Sequence, residues 1–155
     1  MTKKKKILIS IVIFILLLII IDLVLLMPKE NYSTYTCKKE ESIVNGILET
    51  TYLIKYQKED IKKVEYTLKY YGKTKEEKDN INALSQIVKE EAKIYQKESG
   101  FSYKINRQIP TEFKITYYFD ISQAKSEFLN NFNIKQKFKD QKDYFINKEE
   151  YICIK

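Results

Sequence analysis

The sequence predicts an α+β protein: an N-terminal transmembrane helix followed by one domain in which an antiparallel β-sheet carries two to three helices packed on one face. Three observations carry this. A long apolar run occupies residues 7–27, several later segments alternate apolar and polar residues at period two, and one stretch between them repeats apolar residues at helical spacing.

Residues 1–6 form a short basic tail, with Lys3, Lys4, Lys5 and Lys6 leading straight into the apolar run. At about 1.5 Å per residue a helix over 7–27 reaches roughly 31 Å, close to the ~30 Å hydrocarbon core of a bilayer. Only Ser10 and Asp22 interrupt it. Lysine at a membrane edge is retained in the cytoplasm, so the compact cluster places the N-terminus inside and the remainder outside. The other flank mixes Lys29, Lys38 and Lys39 with Glu30, Glu40 and Glu41. A cleaved signal peptide would also begin basic and apolar, but its apolar core usually runs about 7 to 15 residues to a small-x-small site. Here the run is longer and closes with Leu25-Leu26-Met27-Pro28-Lys29, which favours an uncleaved signal anchor. Cys37 stands too far beyond Met27 to be a lipid-bearing cysteine.

Asp22 has two readings. It lies about five residues, or roughly 7.5 Å, from the middle of the run, where an acid costs less than the ~2.5 to 3.5 kcal/mol of the helix centre. Its apolar neighbours absorb that cost, which favours a tolerated residue; the alternative is an interhelical contact with a membrane partner.

Four of the 28 basic residues precede the anchor and one of the 21 acidic residues lies within it, leaving 24 and 20 from Pro28 onward, an excess of four. Much of the basicity is therefore topological. The remaining lysines are interspersed with glutamates, as in Lys38-Lys39-Glu40-Glu41, and arginine occurs only at Arg107. Without a basic stripe or arginines for bidentate phosphate contacts, nucleic acid is disfavoured as a partner, while weak attraction to an anionic envelope surface fits.

Two cysteines, Cys37 and Cys153, lie in the β-prone contexts Tyr35-Thr36-Cys37 and Tyr151-Ile152-Cys153-Ile154. An even pair in an oxidising compartment is most simply a disulfide, with two buried thiols as the alternative. With no histidine and no CxxC spacing, a metal site is the weakest option, and no cofactor motif is present.

Behind a short stalk at 28–34, residues 35–155 suffice for a single domain. The first clear strand, 46–57, puts Leu48, Thr50, Tyr52, Ile54 and Tyr56 on one face; a second puts Val64, Tyr66, Leu68 and Tyr70 on one face. A three-residue loop at 58–60 sets Ile54 opposite Val64, Tyr52 opposite Tyr66 and Thr50 opposite Leu68, so the apolar faces coincide. A helix follows: Thr74 and Glu77 make a capping box, Gly100 supplies a stop, and Ile81, Leu84, Val88, Ala92 and Tyr95 form a stripe, flanked by Ile87 and Ile94, that should pack on the hairpin. Two more strands are expected through Phe101, Tyr103 and Ile105 and through Phe113, Ile115, Tyr117, Phe119 and Ile121, with Pro110 between them. Ser122 is expected to open a short helix through Phe128, Leu129 and Phe132; further helical turns at 138–145 precede a closing strand that carries Cys153.

The run Thr51-Tyr52-Leu53-Ile54-Lys55-Tyr56-Gln57-Lys58-Glu59-Asp60-Ile61-Lys62-Lys63-Val64, the single helix after it, and the 113–121 strand entering a helix resemble the YehR-like family of small bacterial lipoproteins and exported proteins, over about residues 45–135. The resemblance implies an envelope location and an α+β fold, and no activity. This chain lacks the lipobox, which leaves the helix as its anchor.

Beyond the anchor no catalytic or ligand-binding motif appears. The function expected is a non-enzymatic binding or interaction module at the bacterial cell envelope, with the bilayer as one partner through 7–27 and an envelope protein or polymer as another. The alternative is an accessory subunit of a membrane complex, held through Asp22 and the anchor. An envelope-acting enzyme is less favoured: histidine is absent, no Ser or Cys sits in a nucleophile motif, and Glu76-Glu77, Glu90-Glu91 and Glu149-Glu150 fall in lysine-rich segments that read as solvated faces.

Overall fold

The structure is a computed structural model that describes Leu16 and residues 31–44, 46–148 and 151–155. The chain divides into two units, Met1–Asn31 and Tyr32–Lys155. In the first only Leu16, in a helix, and Asn31 are described. The transmembrane helix expected at 7–27, with its Asp22, lies outside the described residues, among which no helix is long and apolar enough to cross a membrane.

The second unit is α+β. Its elements run β1 (Ser33–Ile43), β2 (Gly46–Gln57), β3 (Asp60–Tyr71), α1 (Lys75–Tyr95), β4 (Phe101–Ile109), β5 (Glu112–Asp120), α2 (Ser126–Asn130), α3 (Phe138–Lys148) and β6 (Ile152–Ile154). They form one six-stranded sheet in the order β4-β5-β3-β2-β1-β6, and every neighbouring pair is antiparallel.

The β2–β3 register places Thr50 opposite Leu68, Tyr52 opposite Tyr66 and Ile54 opposite Val64, as the coincident apolar faces require. The turn that achieves it differs from the expected three-residue loop. Gln57 faces Asp60 across a tight turn of Lys58, at φ 57°, and Glu59. Lys55 then faces Lys63 while Tyr56 faces Ile61, so Lys62 is the extra residue of a bulge. The bulge restores the odd offset, and its carbonyl accepts from the Ile121 N–H at 3.0 Å, tying β3 to the end of β5.

β1 is a full strand of eleven residues that period-two reading does not find, because Lys38-Lys39-Glu40-Glu41 breaks its alternation. It needs little apolar pattern, since among its residues only Tyr35 and Cys37 are buried.

α1 begins as the capping box dictates: the Glu77 N–H donates to the Thr74 hydroxyl and the Glu77 carboxylate accepts from the Thr74 N–H. It ends at Tyr95, capped by Gln96, so Gly100 is not its stop. Gly100, at φ +72°, instead opens β4, where a Cβ would stand 2.6 Å from the Asp120 carbonyl oxygen. Ile81, Val88 and Ala92 are buried, joined by Ser85, while Ile87 and Ile94 are exposed. The helix lies against β3, β4 and β5, beyond the β2–β3 hairpin alone.

Ser122 does not start α2. It sits in a turn, its N–H and hydroxyl both donating to the Asp120 carboxylate, and the helix begins only at Ser126 with Lys125 as cap. Three buried phenylalanines, Phe101, Phe119 and Phe128, pack with half-buried Phe132. On the other half of the sheet α3 brings Phe138 onto Tyr56, with rings stacked at 3.8 Å, and Phe145 onto Tyr52. All these rings meet one face of the sheet, which is where the core sits.

Candidate interaction surface

Strands send alternate residues to opposite faces. Thr50, Tyr52, Ile54 and Tyr56 are buried beneath the helices, so Thr51, Leu53 and Lys55 emerge on the other face, where no described helix lies. The registers arrange that face into rows. Lys38, Thr51, Thr67, Thr116 and Lys104 stand opposite one another in turn across five strands. The Thr116 hydroxyl donates to Asn106 Oδ1 at 2.7 Å, which spends its only proton, so Thr67 must be the donor in the 2.9 Å contact between the two threonines. Asn106 reaches this position because it is the extra residue of a bulge between Ile105 and Arg107 in β4.

Neighbouring rows are salted with opposite charges. Lys55 meets Glu65 at 2.6 Å, Lys38 meets Glu49 at 2.8 Å, and Glu112 lies between Lys69 and Arg107. Such pairs contribute on the order of 0 to 1 kcal/mol each at a surface; their effect is to keep the open face polar and ordered.

The apolar exception is at the β6 edge. Ile152 and Ile154 are 78% and 68% exposed, the most open large aliphatics of the described residues apart from Val44 in the β1–β2 turn. With Thr36, Lys38, Glu40 and Thr51 they line a shallow depression of about 420 Å³. A polar recess of about 400 Å³ is lined by Lys55, Lys63, Glu65, Ser102, Tyr118 and Asp120. A third, of about 330 Å³, lies between α1 and the β4–β5 turn, with Phe113 and Ile81 in its wall and Asn82 and Gln108 at its rim.

The structure brings Cys37 and Cys153 together as a disulfide across the β1–β6 ladder. Of the carboxylate pairs, the described Glu76-Glu77 and Glu90-Glu91 lie on α1. Glu77 is held below the usual carboxylate range by the Thr74 and Lys73 N–H groups that it caps, and Glu90 pairs with Lys93 at 2.6 Å on the exposed side of α1. Glu149 and Glu150 lie outside the described residues. Asp60 is likewise held low by its bond to Lys137 at 2.6 Å, which pins the β2–β3 turn to the start of α3. Among the described residues no group of three or more His, Cys, Asp or Glu is arranged to hold a metal ion.

The strongest shifts belong to buried tyrosines. Burial pushes Tyr52, Tyr66 and Tyr117 well above the ordinary phenol value, and Tyr70 up to about 12, with Glu91 adding to it. These phenols are structural groups of the core. The open face itself escapes a search for motifs, because its only sequence signal is the complementary set of each period-two run: Thr51, Leu53, Lys55 against Tyr52, Ile54, Tyr56.

No family model matches the chain, and no curated protein does. Two solved structures are similar to it. The NMR structure of a protein from Streptococcus pneumoniae TIGR4 superposes with a TM-score of 0.52 at 17% identity, covering 81% of this chain and 87% of that one. The NMR structure of the YehR protein of E. coli gives a TM-score of 0.49 at 13% identity, covering 66% and 70%, a weak structural resemblance. The likeness to the streptococcal structure shows a shared fold and nothing further.

Proposed function

We propose that this chain is a non-enzymatic binding module held at the outer face of the bacterial cytoplasmic membrane by a helix over 7–27, and that it engages an envelope protein or polymer through the open face of its sheet. The observation that supports the reading best is the uncovered face itself, with Ile152 and Ile154 exposed beside a row of threonines. Contiguous exposed apolar surface rimmed by polar groups is what interaction sites present. The disulfide fits an oxidising compartment, and the lysines at 3–6 fit an N-terminus left inside.

A second reading, an accessory subunit of a membrane complex, is favoured by Asp22 alone. The two separate in one experiment. A photo-crosslinking residue is placed at Thr51, and residues 1–27 are exchanged for an unrelated anchor of the same orientation. A binding module keeps its crosslinked adduct after the exchange. Loss of the adduct with the domain still displayed refutes the module and supports the subunit.

A further inference from the structure

β6 is joined to the sheet by a short ladder. It pairs with β1 at three positions only: Ile152 with Lys38, Cys153 with Cys37, and Ile154 with Thr36. Two of its three side chains point away from the core and are largely exposed. On the core side its attachments among the described residues include the Cys37–Cys153 bond and, one residue upstream, Tyr151, whose ring lies 4.9 Å from Phe145 and 5.7 Å from Tyr52 and whose side chain also hydrogen-bonds Tyr52. A strand this short, with a single neighbour and no covalent tie, falls below what pairing alone sustains in water.

β6 also covers something. All eleven residues of β1 pair with β2 on one side, and β6 is the strand that occupies the other. β6 covers that edge at Thr36–Lys38, and without it the backbone donors and acceptors of this stretch stand open.

We propose that the Cys37–Cys153 disulfide is a reducible latch whose opening releases β6 and uncovers the β1 edge at Thr36–Lys38 while the rest of the sheet stays folded. The two sulfurs differ in access: Cys37 is 0% exposed and Cys153 is partly exposed. An external dithiol therefore attacks at Cys153 Sγ. A bond forms from one reductant sulfur to Cys153 Sγ as the Cys37–Cys153 bond breaks, and Cys37 leaves as a thiolate. The second reductant thiolate then attacks the reductant sulfur of the mixed disulfide and frees Cys153. Two electrons pass from the dithiol to the protein, the dithiol becomes a disulfide, and its two protons end on Cys37 and Cys153. The residues beneath β1 remain fixed by contacts that do not involve β6, namely Tyr35 against Phe138 and Tyr52 against Phe145 and the Phe132 carbonyl. The latch is independent of what the open face binds.

Hydrogen exchange read by mass spectrometry on the full chain in detergent micelles, with and without dithiothreitol and without denaturant, tests this. Alkylation reports the fraction reduced. The reduced protein should exchange the amides of 152–154 at least about tenfold faster, with β2, β3 and β5 unchanged, as expected for a local opening. The variant Cys153→Ser should give the same pattern with no reductant, so the result does not depend on the ease of reduction. Unchanged protection of β6 in the variant would overturn the proposal. So would loss of protection throughout the sheet, which would make the bond a global staple, or failure of the dithiol to open it in the folded chain.

Discussion

The Tyr52 hydroxyl donates to the backbone carbonyl of Phe132 at 3.0 Å, joining the centre of the sheet to the segment between α2 and α3. Around that bond the Tyr52 ring contacts Tyr66, Phe145 and Tyr151 at centroid distances of 4.6, 4.9 and 5.7 Å. Tyr52 is thus the residue through which β2, β3, α3 and the approach to β6 meet. Tyr52→Phe keeps the ring and leaves a partly buried carbonyl short of its donor, which should cost about 1 kcal/mol. Tyr52→Ala empties the space as well and should cost about 3 to 5 kcal/mol. Denaturant unfolding of the two variants should show this ordering; equal losses would mean that the hydroxyl, and not the ring, supplies the stability.

Gln141 is 0% exposed and engaged at both ends of its amide: its Oε1 accepts from the Lys135 N–H at 2.7 Å and its Nε2 donates to the Asn133 carbonyl at 3.1 Å. It holds the turn that contains Asn133, at φ 54°, against α3. Gln141→Leu fills the space but strands two backbone groups, so thermal unfolding should report a loss of about 2 to 4 kcal/mol. A neutral result would show that water reaches those groups.

Thr74→Ala removes the hydroxyl that receives the Glu77 N–H and should cost about 1 kcal/mol. The loss should appear as faster exchange confined to the first turns of α1. A variant that instead loosens the β4–β5 turn would contradict the local role.

Alkaline pH should unfold the domain before it chemically damages it. Burial raises Tyr52, Tyr66, Tyr70 and Tyr117 above the ordinary 10.0, so the unfolded chain ionises first. A raised phenol contributes stability that is complete below pH 10 and declines as pH climbs toward the folded value, about 12 for Tyr70. Rapid pH-jump unfolding followed by tyrosinate absorbance should show a plateau up to about pH 10 and a steep fall above it. Gradual ionisation with secondary structure intact would mean that the phenols are wet.

The hairpin register and the capping box were legible because each is set by a few residues at fixed spacing, and the Cys37–Cys153 bond because each cysteine has one possible partner within the chain. Thr74 and Glu77 need only each other, and Ile54 and Val64 need only share a face. What escaped depends on partners distant in sequence. The bulge at Lys62 is justified by the Ile121 N–H, and the position of Gly100 by the Asp120 carbonyl. β1 hides because its charges sit on a strand whose inner face is completed by α3. The open face was invisible for a different reason: it is defined by what fails to cover it.

The claim that the open face is the binding surface is tested most directly by a crosslinking map. Photo-reactive residues are placed singly at Thr51 and Thr67 on that face and at Ile87 and Ile94 on the exposed side of α1, in chains displayed on intact cells. Discrete adducts from Thr51 and Thr67, with none from Ile87 or Ile94, are predicted. Adducts from the helix positions with a silent open face would contradict it.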